Sequence, residues 1–186
     1  MRARHVPGEA GVWVLILGDL TAFSVFFAIF LVHRARDVAL FSASQAAMDR
    51  RLGLANTVLL LISSLFVAGA VIAARVGARG RAERLLMLAL GCGCGFIVSK
   101  VFEWGGKIAD GVTLNSNEFY SFYYMFTGIH LVHVLLGMGV LMYLLVRSRR
   151  ADPGASYVAL MEGGGVFWHL VDLLWVVLFP LLYLLR

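Results

Sequence analysis

The chain has 186 residues, of which 61% are hydrophobic and 15% charged, with a formal net charge of +5 and a mean hydropathy of +0.86. No soluble domain of this size can hide so much apolar surface, so the composition indicates a multi-pass membrane protein. The basic residues flank the apolar runs, at Arg34 and Arg36, Arg50 and Arg51, Arg75 to Arg84 and Arg147 to Arg150; this pattern suits anchoring to anionic lipid and argues against nucleic acid as a partner.

Five runs are long enough to cross a hydrocarbon core of roughly 30 Å. They predict an all-α bundle of five transmembrane helices near residues 12–32, 54–74, 85–104, 122–146 and 166–185, forming a single domain over residues 1–186. The first run is too long for the apolar core of a cleavable signal peptide and carries Asp19, so it is expected to remain as the first span. A mid-helix carboxylate there reads either as a proton-handling group or as a protonated side chain bonded to a backbone carbonyl. In the third run Cys92 and Cys94 point about 200° apart on a helix, which rules out a joint metal clamp. They are expected to be small buried packing residues beside Gly91, Gly93 and Gly95.

Lys100 and Glu103 share a face near the end of that run, and the spacing predicts an ion pair near the interface with Lys100 snorkelling outward. The segment 105–121 reads as a polar loop, and Pro153-Gly154 as a turn. His130 and His133 again share a face in the fourth run. With His169 they read as a buried hydrogen-bond network or, alternatively, as metal or haem ligands. Glu162 precedes Gly163-Gly164-Gly165 and is placed to favour the N-terminal end of the last helix. That helix carries Trp168, His169, Asp172 and Trp175, ionisable groups that need partners within the bundle.

Arginine distribution sets the orientation. The N-terminal tail and the segments 75–84 and 147–162 hold nine Arg, against six Lys or Arg on the other side. The N-terminus is therefore expected in the cytoplasm and the C-terminus outside. No phosphate-binding loop or hydrolase signature occurs, and no nucleophile presents itself.

The segment Phe122 to Gly137, with Thr127-Gly128-Ile129-His130-Leu131-Val132-His133, resembles a stretch of subunit III of haem–copper oxidases. Trp168-His169-Leu170-Val171-Asp172-Leu173-Leu174-Trp175 is similar to that family's ending. Glu162, Asn56-Thr57, Ser63-Ser64 and Glu103-Trp104 follow the family's style, in order and along nearly the whole chain. The resemblance implies a membrane subunit with no active site, haem or metal of its own, beside a catalytic subunit I that works with haem and copper or iron. It further implies support of that subunit's proton uptake, and residence in a bacterial inner membrane.

Larger members have seven helices, and these five correspond to the last five. The missing pair forms one wall of a lipid-filled cleft, which bears on bound phospholipid. Asp19 stands where the family commonly has a carbodiimide-reactive Glu. Leu17 to Asp19 and the ending Val177 to Leu185 look most like the five-helix, nitric oxide reductase-associated (NorE-like) branch, which points to denitrification as well as aerobic respiration. Two rivals from other classes are a small haem- or metal-binding membrane protein using His130, His133 and His169, and a proton-coupled transporter built on Asp19, Lys100 and Glu103.

Overall fold

The computed structural model describes residues 10–150 and 156–185. Pro153-Gly154 lies outside the described residues. The described chain is all-helical: α1 (Ala10–Arg36), α2 (Val38–Ala46), α3 (Arg50–Arg75), α4 (Arg79–Ala109), α5 (Glu118–Ser148) and α6 (Tyr157–Phe179), the last continuing into a π-helical turn, Pro180–Leu184. Five of these helices are long and apolar enough to cross a membrane.

The helices outrun the five predicted runs because hydropathy marks the lipid-embedded length, whereas the caps set the helical length. Asp49 accepts from the Arg51 and Leu52 amides, starting α3 ahead of Leu54. Asn117 does the same for α5 through the Tyr120 amide. At the other ends, Gly77 and Gly111 take positive φ. Each closes its helix with paired bonds, Gly77 N–H to Ala74 O with Ala78 N–H to Ala73 O, and Gly111 N–H to Ile108 O with Val112 N–H to Lys107 O. This is the left-handed helix ending that glycine permits without steric cost. The segment read as a loop from residue 105 is thus helical through Ala109, and the true connection is 110–117. Asp49→Ala should lower stability by about 1 kcal/mol, the usual cost of a lost N-cap; reversible unfolding in mixed micelles measures it.

Helices α3 to α6 form a ring in which each packs on its sequence neighbour and α6 closes back on α3. Their shared core holds Trp168, Trp175, Phe96, Leu60, Leu86 and Tyr123, all fully buried. Close approach needs small residues, as is usual between membrane helices. At Gly165 an added Cβ would lie 3.0 Å from Val71, and at Gly164 2.7 Å from Leu144.

Helix α1 lies outside this ring. It meets α5 through a row of rings, Phe23 on His133, Phe27 on Phe126 and Phe30 on Phe122, at centroid separations of 5.8, 5.8 and 5.5 Å, with polar contacts from Asp19 to His133 and from His33 to Glu118 on either side of the row. The short α2 lies between the first two predicted spans, where it is too short for hydropathy to mark it. It tucks Phe41 against Phe30 and Phe119. It also ties both ends of the bundle's rim, with Gln45 Nε2 donating to Leu181 O and Asn117 Nδ2 to Ser44 Oγ.

Candidate functional site

Three polar stations lie within the membrane-spanning helices. The first is closed. Lys100 Nζ donates to Glu103 Oε2 and to Tyr183 Oη, both at 2.8 Å. Glu103 Oε1 accepts from Tyr123 and Tyr183 hydroxyls at 2.8 and 2.6 Å. The ammonium also sits 4.6 Å above the Trp175 ring. The predicted ion pair is present, but snorkelling is not: Lys100 is 1% exposed and points into the bundle. Its physical reason is the partner set. Two tyrosines, a carboxylate and an indole face replace the headgroup water that a snorkelling lysine would seek. Trp175 in turn donates from Nε1 to Thr57 Oγ1 at 3.1 Å, stitching α6 to α3.

The second station joins α1 to α5. Asp19 Oδ2 lies 3.1 Å from His133 Nε2. His133 Nδ1 is 2.8 Å from Ile129 O. A carbonyl only accepts, so Nδ1 carries a hydrogen. The ring thus bridges the Ile129 carbonyl on its own helix and the Asp19 carboxyl on α1. Asp19 remains one quarter exposed at this depth.

The third station lies on α3 and α6. Ser64 Oγ and His169 Nδ1 are 2.5 Å apart. Asp172 Oδ2 is 3.8 Å from the same nitrogen, beyond hydrogen-bond reach. Asp172 is buried, and neither of its oxygens has a hydrogen-bond partner among the described residues. A groove of about 250 Å³ runs beside this station, between Ala68, Val71, Ile72, Gly165 and Val166. Arg75 and Glu162 close its end with a 2.8 Å ion pair.

Four expectations need correction. Glu162 sits in the second turn of α6, which begins at Tyr157, and it pairs with Arg75 rather than with the helix N-terminus. Cys92 is only partly buried and Cys94 is exposed, because Gly93, not either cysteine, faces Met138 and Trp168. His130 is fully buried, yet neither ring nitrogen has a hydrogen-bond partner among the described residues. It packs instead between Phe96 and Trp175, so it is no node of a polar network. His169 is not buried, since 42% of its side chain is open.

The three histidines serve different surroundings. His130 lies among rings, His133 faces Asp19 and His169 faces Ser64. No group of three His, Cys, Asp or Glu side chains converges to hold a metal ion among the described residues. Trp168 is fully buried, and its indole N–H has no hydrogen-bond partner among the described residues. Asp19 and the Lys100–Glu103 pair bond to separate partners. Sequence reasoning missed Tyr123 and Tyr183 as partners of Glu103, and Arg75 as the partner of Glu162. The antiparallel order of α3 and α6 could have suggested Arg75; nothing local marks Tyr183.

Known proteins bear on this arrangement. A family model described as cytochrome c oxidase subunit III matches residues 9–185. A probable cytochrome c oxidase subunit 3 from Nocardia farcinica is 26% identical over 180 residues, covering 96% of this chain and 88% of that protein. A cytochrome bo(3) ubiquinol oxidase subunit 3 from Pseudomonas aeruginosa is 27% identical over 177 residues, covering 94% and 83%. A heme-copper oxidase subunit I+III from Aeropyrum pernix is 26% identical over 187 residues, covering 95% of this chain and 22% of that longer protein. The match extends over every membrane-spanning helix and all three polar stations, and the chain belongs to the cytochrome c oxidase subunit III family.

Proposed function

We propose that the chain is a non-catalytic membrane subunit of a haem–copper oxidoreductase, packed against the catalytic subunit, stabilising it and supporting its proton uptake. The observation that carries this reading is the family match across residues 9–185. The Aeropyrum pernix relative adds support, because its name puts subunits I and III in one chain. Haem and copper or iron belong to the partner in this reading. The complex works in the bacterial inner membrane, N-terminus inside, and the Arg75–Arg84 cluster suits anionic headgroups on that side. Phospholipid is expected along the flanks of the bundle. Purification of the tagged chain in mild detergent tests the proposal: a haem-containing subunit I should co-purify, whereas a haem spectrum carried by the chain alone would overturn it.

Asp19 is the proton-handling group in this reading, and His133 is its partner. The support is the 3.1 Å contact between Asp19 and His133 at a partly open position. Asp19→Asn removes one of the two bases and leaves the shape almost unchanged. The assembled complex carrying it is expected to lose activity several-fold faster during turnover, with slower proton uptake. Unchanged turnover lifetime and uptake would remove Asp19 from the proton path.

A nitric oxide reductase-associated partner is the narrower form of the same proposal. It rests on Leu17 to Asp19 and the ending Val177 to Leu185. Identification of the co-purified catalytic subunit by mass spectrometry distinguishes it from a terminal oxidase.

A further inference from the structure

His169 is the thirteenth of the 28 residues in the last span, and Ser64 the fifteenth of 26 in the second. Both therefore sit near the bilayer midplane, where lipid offers only hydrocarbon. There the imidazole is 42% exposed. Its Nδ1 is engaged by Ser64, but Nε2 makes no hydrogen bond among the described residues. Within 3.8 Å of Nδ1 lies a carboxyl oxygen of Asp172, which is buried and has no hydrogen-bond partner among the described residues. An outward-facing polar group at this depth is costly unless protein covers it. Lipid headgroups are about half a bilayer away, roughly 15 Å, so they cannot supply the partner.

We infer that the α3/α6 face around His169 seats a transmembrane helix of the catalytic subunit, which brings a hydrogen-bonding side chain or an exposed carbonyl to His169 Nε2. The inference rests on the proposed function for the identity of the partner. The local shape agrees with a helix as occupant. Alongside His169 runs the groove floored by Gly165, with Ala68 and Val71 on its walls, wide enough at about 250 Å³ for the apolar side chains of an incoming helix. Ile72 and Leu173 flank the groove and the imidazole, and both are exposed. The Arg75–Glu162 pair marks where the seam reaches the headgroup region.

The seat also explains why a polar cluster at the midplane can persist on an outer surface. Ser64 fixes the ring through Nδ1 and so aims Nε2 away from the bundle. Asp172, three residues on, holds the same side of α6 without bonding the ring. One face of α4 differs: Phe102, at 74% exposure, with Val101 and Val98 beside it, is apolar and suited to lipid.

A photo-crosslinking amino acid placed at Ile72 or Leu173, with Phe102 as the comparison site, tests the seat in intact membranes without altering the core. Crosslinks to the haem-bearing subunit are expected from Ile72 and Leu173 and not from Phe102. His169→Ala should reduce co-purification of that subunit about tenfold, and His169→Gln, which keeps a hydrogen-bonding group, should restore most of it. Crosslinks from Phe102 to the catalytic subunit, with lipid adducts alone at Ile72 and Leu173, would overturn the seat and leave the proposed function standing. Adducts to a second copy of this chain at Ile72 would overturn it in favour of a homodimer. Absence of any catalytic subunit from every crosslink and from the purified material would overturn both.

Discussion

Lys100→Met or Glu103→Gln alone is expected to cost about 3–5 kcal/mol, the range found when one member of a buried ion pair is removed. Glu103→Gln strands an ammonium that is 1% exposed and weakens the acceptor of the Tyr123 and Tyr183 hydroxyls. Lys100→Met leaves the carboxylate held by the two tyrosines alone. Three helix ends meet at this cluster: Lys100 and Glu103 on α4, Tyr123 on α5 and Tyr183 on the π turn. Its loss should therefore loosen the whole rim of the bundle. The double substitution removes both charges at once and is expected to be less damaging than the sum of the singles by about 2 kcal/mol. Equilibrium unfolding in mixed micelles gives all four corners of the cycle. Strict additivity would mean that the two charges do not stabilise one another.

Gly137→Ala is expected to cost about 1–3 kcal/mol, and Gly137→Leu more, through overpacking. The new Cβ would fall 2.7 Å from Trp168 Cε3 and 3.0 Å from Cζ3. The indole cannot move aside, because its far edge is set against Gly93 on α4, where an added Cβ would be 3.3 Å from Cη2. Trp168 is thus slotted between two glycines on neighbouring helices, with no exposed surface. Trp168→Phe, made together with Gly137→Ala, should recover most of the loss by shortening the ring. A fall in unfolding midpoint for Gly137→Ala that Trp168→Phe does not relieve would place the strain elsewhere.

Much of this was legible in the residues, and the exceptions have a common cause. Apolar runs near the bilayer's thickness gave five spans, since the lipid imposes that length whatever the sequence. The i, i+3 spacing of Lys100 and Glu103 was enough to foresee their bond. Where the pair would point was not, because that depends on Tyr183, eighty residues away and brought in by the packing of α6. Cys94 looked like a core residue from its apolar neighbours, but apolar neighbours in a membrane protein face lipid as readily as core. His130 looked like a network member because histidine is polar. Its actual surroundings, Phe96 and Trp175, come from two other helices. Glu162 seemed a capping group only because the start of α6 was placed at Val166, nine residues late.

The π turn after Pro180 has a consequence for how the chain can change over time. Proline supplies no N–H to the turn before it, and beyond it the chain closes through Leu185 N–H to Pro180 O, a wider loop of backbone. Such a widening behaves like one residue inserted into an α-helix, so it sets the angular phase of everything beyond it. Tyr183 reaches Lys100 in that phase. Replacing Pro180 so that the turn closes as an α-helix would rotate the tyrosine off its target by about 100°, and deleting one neighbouring residue would turn it back. Substitutions and single-residue deletions near the C-terminal end should therefore be tolerated in pairs more readily than singly.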